Sequence, residues 1–254
     1  MGDKSRNLTL YCLFLTLSIF TAYYEGFISM ISIMFFVTLA IGFCLMAWLT
    51  LSISTFRYAS LMLTIFIIEY IKEGIGTISN LWTYHGRNIW TSPDSNEALI
   101  NFGVLMWVMG GIAVYTVATK LIIPWLRKLD FSPPRYVHPL IIILLFALIP
   151  LLLGKYAAGA GFLFYALYLF LFAVCLFASL KMEFPVFAGI LVAALIGGFP
   201  AEYAGSMGSG IWTFTHNPDY PPLFLLVSCW PLEIMAQYSI SSYIAAEDLN
   251  KGTF

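Results

Sequence analysis

Charge is what this sequence has least of. Only 10% of its 254 residues are Asp, Glu, Lys or Arg, against 61% that are apolar. Globular chains carry roughly 25% charged residues. The formal net charge is −1 and no basic cluster breaks the sequence, which excludes a nucleic-acid partner for want of a phosphate-neutralising surface. Histidine is scarcer still. His85, His138 and His216 are the whole set, too few for a histidine-rich iron centre, and His85 and His216 read as hydrogen-bonding groups rather than ligands. The four cysteines, Cys12, Cys44, Cys175 and Cys229, each stand alone in an apolar run without CxxC spacing. That pattern argues against zinc or a redox pair and for small packing residues. Gly205, Gly208 and Gly210 follow a helix rather than a strand, which removes a dinucleotide-loop reading. No metal and no cofactor is expected.

Long apolar runs are what the chain has. A hydrocarbon core about 30 Å thick takes about 20 apolar residues in a helix. Eight segments qualify: Leu8–Tyr24, Phe27–Ser52, Arg57–Thr77, Ala98–Leu126, His138–Leu153, Gly161–Leu180, Pro185–Tyr203 and Pro221–Ala246. The fifth is short and contains Pro150, so a seven-helix count is the alternative. The first lacks a small-residue cleavage site and reads as a retained helix. With the N-terminus inside, the inner connections hold Lys4, Arg6, Arg57, Lys120, Arg127, Lys128, Arg135, Lys181 and Lys251, and the outer ones only Lys72, Arg87 and Lys155. The expectation is an all-α integral membrane protein of about eight transmembrane helices, multi-pass in the cell membrane, with both termini cytoplasmic.

The sequence also echoes itself. IIEY at Ile67–Tyr70 returns as PAEY at Pro200–Tyr203, and WTY at Trp82–Tyr84 as WTF at Trp212–Phe214. Trp107 and Tyr115 return as Trp230 and Tyr238 at the same separation. Residues 1–126 and 138–254 thus read as two parallel four-helix repeats, joined by a proline-containing linker at 127–137.

Glu233 is the most telling position. Trp230, Glu233, Gln237 and Ser241 recur at helical spacing as one polar stripe on an apolar helix. A carboxylate there costs a few kcal/mol unless it faces protein or a wet cavity. Its counterpart in the first half is Gly110. Glu69 and Glu73 share a helical face, and Glu202 is the equivalent of Glu69. Clustered carboxyls push one another's pKa up, so one can hold a proton at neutral pH. Glu233, Glu202 and Glu69 are therefore the candidate catalytic set, while Glu73 reads rather as a partner of Lys72 or a solvated group. Trp82, Tyr84, Trp107, Trp212, Phe214, Trp230 and Gln237 are the candidate substrate-binding groups.

Glu69, Gly74, Gly76, Trp82, Tyr84 and Trp107, with their echo Glu202, Gly205, Gly208, Trp212, Phe214 and Trp230, form a pattern that resembles the membrane carotenoid hydratases of the bacterioruberin type. Pro231-Leu232-Glu233 resembles the start of the Pro-x-Glu-Glu motif of the small transmembrane lycopene cyclases. Two departures stand out: the hydratase Phe-Gly-x-Tyr is Leu81-Trp82-Thr83-Tyr84, and the second cyclase Glu is Ile234. The resemblance implies acid-catalysed hydration or cyclisation of an isoprenoid alkene, with Glu233 as the acid and aromatic rings stabilising the cation. The implied partner is a membrane lipid or isoprenoid. A transporter using the same carboxylates, a non-catalytic subunit with membrane-protein partners, and a homo-oligomer remain open.

Overall fold

The computed structural model describes residues 42, 44–45, 47–51, 53–84, 96–129, 131–153, 157–203, 212–215, 223–246 and 248–250. The candidate helix Leu8–Tyr24, most of Phe27–Ser52, His85, His216 and the glycines 205–210 lie outside them.

The first fully described helix, α1 (Thr55–Ile78), begins at an N-cap, Ser54, whose hydroxyl accepts from the Arg57 amide at 3.2 Å. It ends in a Schellman turn. Asn80 takes φ 53°, its amide reaches Thr77 O, and the Leu81 amide reaches Gly76 O at 2.8 Å. That turn reverses the chain into strand β1 (Trp82–Tyr84). Two helices follow almost end to end: α2 (Asn96–Val117) passes through a wide π turn, Ala118–Ile122, into α3 (Ile123–Arg127). Then come α4 (Val137–Leu153), α5 (Ala157–Ser179, kinked at Gly161, φ 61°) and α6 (Phe184–Tyr203). Strand β2 (Trp212–Phe214) and a second π turn, Leu225–Cys229, lead into α7 (Trp230–Ile244).

Proline gives a reason for both π turns. Pro124 and Pro231 stand at the starts of α3 and α7. Each lacks an N–H, and its ring crowds the carbonyl four residues back, at Lys120 and Val227, inside the wide turn.

α7 is the axis of the bundle. Every residue from Trp230 to Ser239 is buried, and α1, α4, α5 and α6 all pack on it. β1 and β2 form an antiparallel ribbon with Trp82 opposite Phe214, Thr83 opposite Thr213 and Tyr84 opposite Trp212. The echoed landmarks therefore face each other: the two aromatic strands pair, Trp107 lies 5.3 Å from Trp230, and Tyr115 lies 5.5 Å from Tyr238.

The membrane architecture expected from the sequence is corrected here. Seven α-helices are fully described, preceded by helical residues at 42, 44–45 and 47–51, and they do not form eight spans in two parallel four-helix repeats. Two stretches are long and apolar enough to cross a membrane, Trp107–Arg127 and Gly161–Ser179, while Val137–Leu153 is shorter. α1, expected to be a span, buries Glu69, Lys72 and Glu73 in an internal ionic network, and Arg57 near its start. Composition alone does not say what the apolar runs face: most of Trp107–Arg127 is buried inside the bundle, and most of Gly161–Ser179 is not. A multi-pass cell-membrane location loses its basis with the eight spans, and so do the lipid or isoprenoid partner, the membrane-protein partners and the transporter alternative. The aromatic segments Trp82–Tyr84 and Trp212–Phe214 form a paired ribbon.

Two glycines make the packing testable. A Cβ on Gly76 would lie 1.9 Å from the Trp82 ring, whereas one on Gly110 would meet Trp107 and Trp230 at an ordinary 3.9 Å. Gly76→Ala should cost about 1–3 kcal/mol by overpacking. Gly110→Ala should be neutral or stabilise by up to about 1 kcal/mol through helix propensity. Urea titration of both variants checks this, and equal effects would contradict the ring placement. Glycine at 110 is thus not demanded by space, whatever stands opposite it in the second half.

Candidate active site

Three helices supply the acids. On α1, Glu69, Lys72 and Glu73 fall at i, i+3 and i+4 and share a face. α7 turns Trp230, Glu233 and Gln237 towards that face, and α6 contributes Glu202. All of these side chains are buried. Lys72 is the hub. Its Nζ lies 2.5 Å from Glu69 Oε2, 3.4 Å from Glu73 Oε1 and 3.4 Å from Glu233 Oε2. It also sits 4.7 Å from the Trp107 ring centre and 5.9 Å from that of Trp230.

Each carboxyl has its own neutral donor. Trp82 Nε1 donates to Glu73 at 2.8 Å, Trp230 Nε1 to Glu202 at 2.9 Å and Gln237 Nε2 to Glu69 at 2.7 Å. The Tyr168 hydroxyl, on α5, donates to Glu233. These bonds fix the orientation of groups that would otherwise lose hydration without compensation.

One ammonium cannot neutralise four carboxylates in a dry setting. Burial opposes the charge on Lys72, but Glu233, Glu69, Glu73 and Glu202 together outweigh it and hold its pKa well above the usual lysine value. Burial pushes Glu202 up to about 7, against the pull of Lys72 and of the Trp230 N–H. Burial likewise pushes Glu233 up to about 7, with Lys72 opposing and Glu69 adding to the rise. Both carboxyls therefore exchange protons near neutrality, where a general acid is most effective.

A crevice reaches this cluster. It is lined by Lys72, Glu73 and Glu202 and walled by Trp82, Trp107, Trp212 and Phe214. Trp107 and Trp212 are 5.2 Å apart, and Trp82 meets Phe214 edge-on at 6.4 Å. Its volume of about 10 Å³ is the room one water needs. The Trp107 Nε1–H is buried and meets no acceptor among the described residues.

The sequence-derived set mostly converges. Glu69, Glu202, Glu233, Gln237, Trp82, Trp107, Trp212, Phe214 and Trp230 all meet at the junction of α1, α2, α6, α7 and the ribbon. Tyr84 contributes its backbone to β1, and its side chain lies outside the described residues. Gln237, a helical neighbour of Glu233, bonds Glu69 instead. Glu233 does not line the crevice; Glu202 and Glu73 do. Two groups escape sequence reasoning. Lys72 looks there like a loop charge and a partner for Glu73, although its position three residues after Glu69 is an available signal. Tyr168 gives none, being one of several aromatics in an apolar run. Among the described residues no cluster of His, Cys, Asp and Glu is arranged to hold a metal ion.

No protein family matches the chain, and neither a curated protein nor a solved structure is similar to it. The resemblance to carotenoid enzymes thus rests on its motif residues alone.

Proposed function

We propose that the chain is an acid–base enzyme in which Glu202 is the proton donor. The observation that supports this is the position of Glu202: a carboxyl pushed up to about 7 that lines an aromatic-walled crevice, with its orientation fixed by Trp230. Glu233, one layer deeper, is a positioning residue; together with Glu69 and Glu73 it sets the charge around Lys72. The Trp107 and Trp212 rings wall the crevice into which Glu202 would deliver its proton, beside the Lys72 ammonium. The crevice has room for about one water, so a larger substrate would need its walls Trp82, Trp212 and Phe214 to shift.

Proton-transfer catalysis leaves a mark that can be scored before the substrate is identified. Purified protein is incubated in D2O with a fractionated small-molecule extract, and mass spectrometry scores deuterium incorporation against a protein-free control. Wild type should label at least one compound. Glu202→Gln should lower that rate about 10²-fold or more, in line with the contribution of a positioned acid. Labelling that persists unchanged in Glu202→Gln, or is never detected, removes this reading.

A further inference from the structure

A second site lies at the far end of the bundle from the carboxyl cluster. The end of α3, the segment 131–136, the start of α4 and the turn between α5 and α6 enclose an open cleft of about 550 Å³. That falls within the range of small-molecule sites, roughly 300–1,000 Å³. Among the described residues three cations line it, Arg127, Arg135 and Lys181, against one carboxylate, Glu183, which lies 3.6 Å from the Arg127 guanidinium and leaves Arg135 and Lys181 as the cations without an ion pair to it. The excess of two positive charges matches a phosphate monoester, which carries about −1.5 to −2 at neutral pH.

The cleft has a pinned rim. Asn250 accepts from Arg127 on its carbonyl at 3.0 Å and from the Glu183 amide on Oδ1 at 2.7 Å, and it donates from Nδ2 to Lys181 O at 2.9 Å. One side chain and one carbonyl thereby tie the end of α3 to the α5–α6 turn, holding the Arg127 guanidinium and the Lys181 backbone. Such pre-organisation lowers the ordering cost of binding.

The remaining wall is flat and apolar. Phe131 and Phe184 meet edge-on at 5.2 Å. Behind them His138 stacks on Phe187 at 4.5 Å. Its Nδ1–H donates to Ser179 O at 3.3 Å, and Nε2 is buried with no partner among the described residues. The cleft thus combines a cationic rim, an aromatic face and a buried ring nitrogen in its lining.

We infer that this cleft binds a small organic phosphate, with the phosphoryl group on Arg135, Lys181 and Arg127 and the organic part against Phe131 and Phe184. The site is separate from the carboxyl cluster and does not rest on the acid–base reading.

Isothermal titration of the full chain tests it, using adenosine 5′-monophosphate, glucose 6-phosphate, glycerol 3-phosphate, adenosine and inorganic phosphate. At least one ester should bind more tightly than inorganic phosphate, and adenosine should not bind. The Arg135→Gln/Lys181→Gln double variant should weaken ester binding tenfold or more, with an unchanged circular dichroism spectrum and melting temperature. Raising salt from 50 to 200 mM should weaken it further in the wild type than in the double variant. The inference fails if no ester binds, if inorganic phosphate binds as well as every ester, or if the double variant binds as the wild type does.

Discussion

Lys72→Met should cost about 3–5 kcal/mol of stability at pH 8, the penalty for removing one partner from a buried ionic group. At that pH the substitution leaves Glu69, Glu73, Glu202 and Glu233 around an apolar side chain, with Trp82, Gln237, Trp230 and Tyr168 as their remaining donors. Those neutral donors satisfy single oxygens but do not offset like charges packed together. The loss should shrink on acidification. Glu202 and Glu233, pushed up to about 7 by burial, hold protons at pH 5 and release them by pH 8, so less negative charge is left unopposed at the lower value. Lys72 itself does not blur the comparison: its folded pKa is raised, so its own contribution is complete below the unfolded lysine value and is lost only at strongly alkaline pH. Urea unfolding at pH 8 and pH 5 measures the difference. A Lys72→Met penalty that is the same at both values would mean that the cluster is not electrostatically coupled.

The wild-type chain should itself grow less stable as pH rises from about 4.5 to about 7. Glu202 and Glu233 are pushed up to about 7 by burial, whereas unfolded carboxyls titrate near 4. Between those values the folded chain holds protons that the unfolded chain has released, so the unfolded state binds fewer protons and stability falls with pH. Above about 7 both states are ionised and the contribution levels off. Each pH unit between the folded and unfolded pKa is worth about 1.4 kcal/mol, so either carboxyl alone would contribute on the order of 3 kcal/mol. The pair titrates together and its combined effect is smaller than twice that. The Glu202→Gln/Glu233→Gln double variant should flatten this part of the profile. Denaturant midpoints at half-unit steps between pH 4.5 and 8 give the comparison, and a wild type that gains stability across the window would reverse the assignment.

The helices are more legible in the sequence than their surroundings. Arg57–Thr77, His138–Leu153 and Pro185–Tyr203 lie within about two residues of α1, α4 and α6, because apolar runs bounded by proline, glycine and charge mark helix ends locally. What those runs face is not local information. An apolar residue covering α7 and one covering a lipid-exposed surface have the same composition, and taking the first for the second leads to the wrong architecture. The WTY and WTF segments are recognisable as echoes of each other, but three-residue strands fall below the length at which alternation is readable. The acids show through their cost in an apolar setting. Lys72 does not, because a lysine beside two glutamates near a helix end also describes a solvated terminus. Only the return of α7 against α1 encloses it.

The two π turns bear on how the long apolar segments are numbered. A helix advances about 100° per residue, so a turn holding one residue more than usual shifts everything beyond it by about that angle. Ala118–Ile122 and Leu225–Cys229 therefore divide their segments into stretches that are out of phase. Spacing rules hold on either side of such a shift but not across it. Trp107 and Trp125, or Phe224 and Glu233, cannot be assigned to a common face by counting. Aligning the two halves residue by residue through these turns likewise mispairs faces, whereas Trp107–Tyr115 and Trp230–Tyr238, with Gly110 and Glu233 inside them, cross neither turn and keep their pairing.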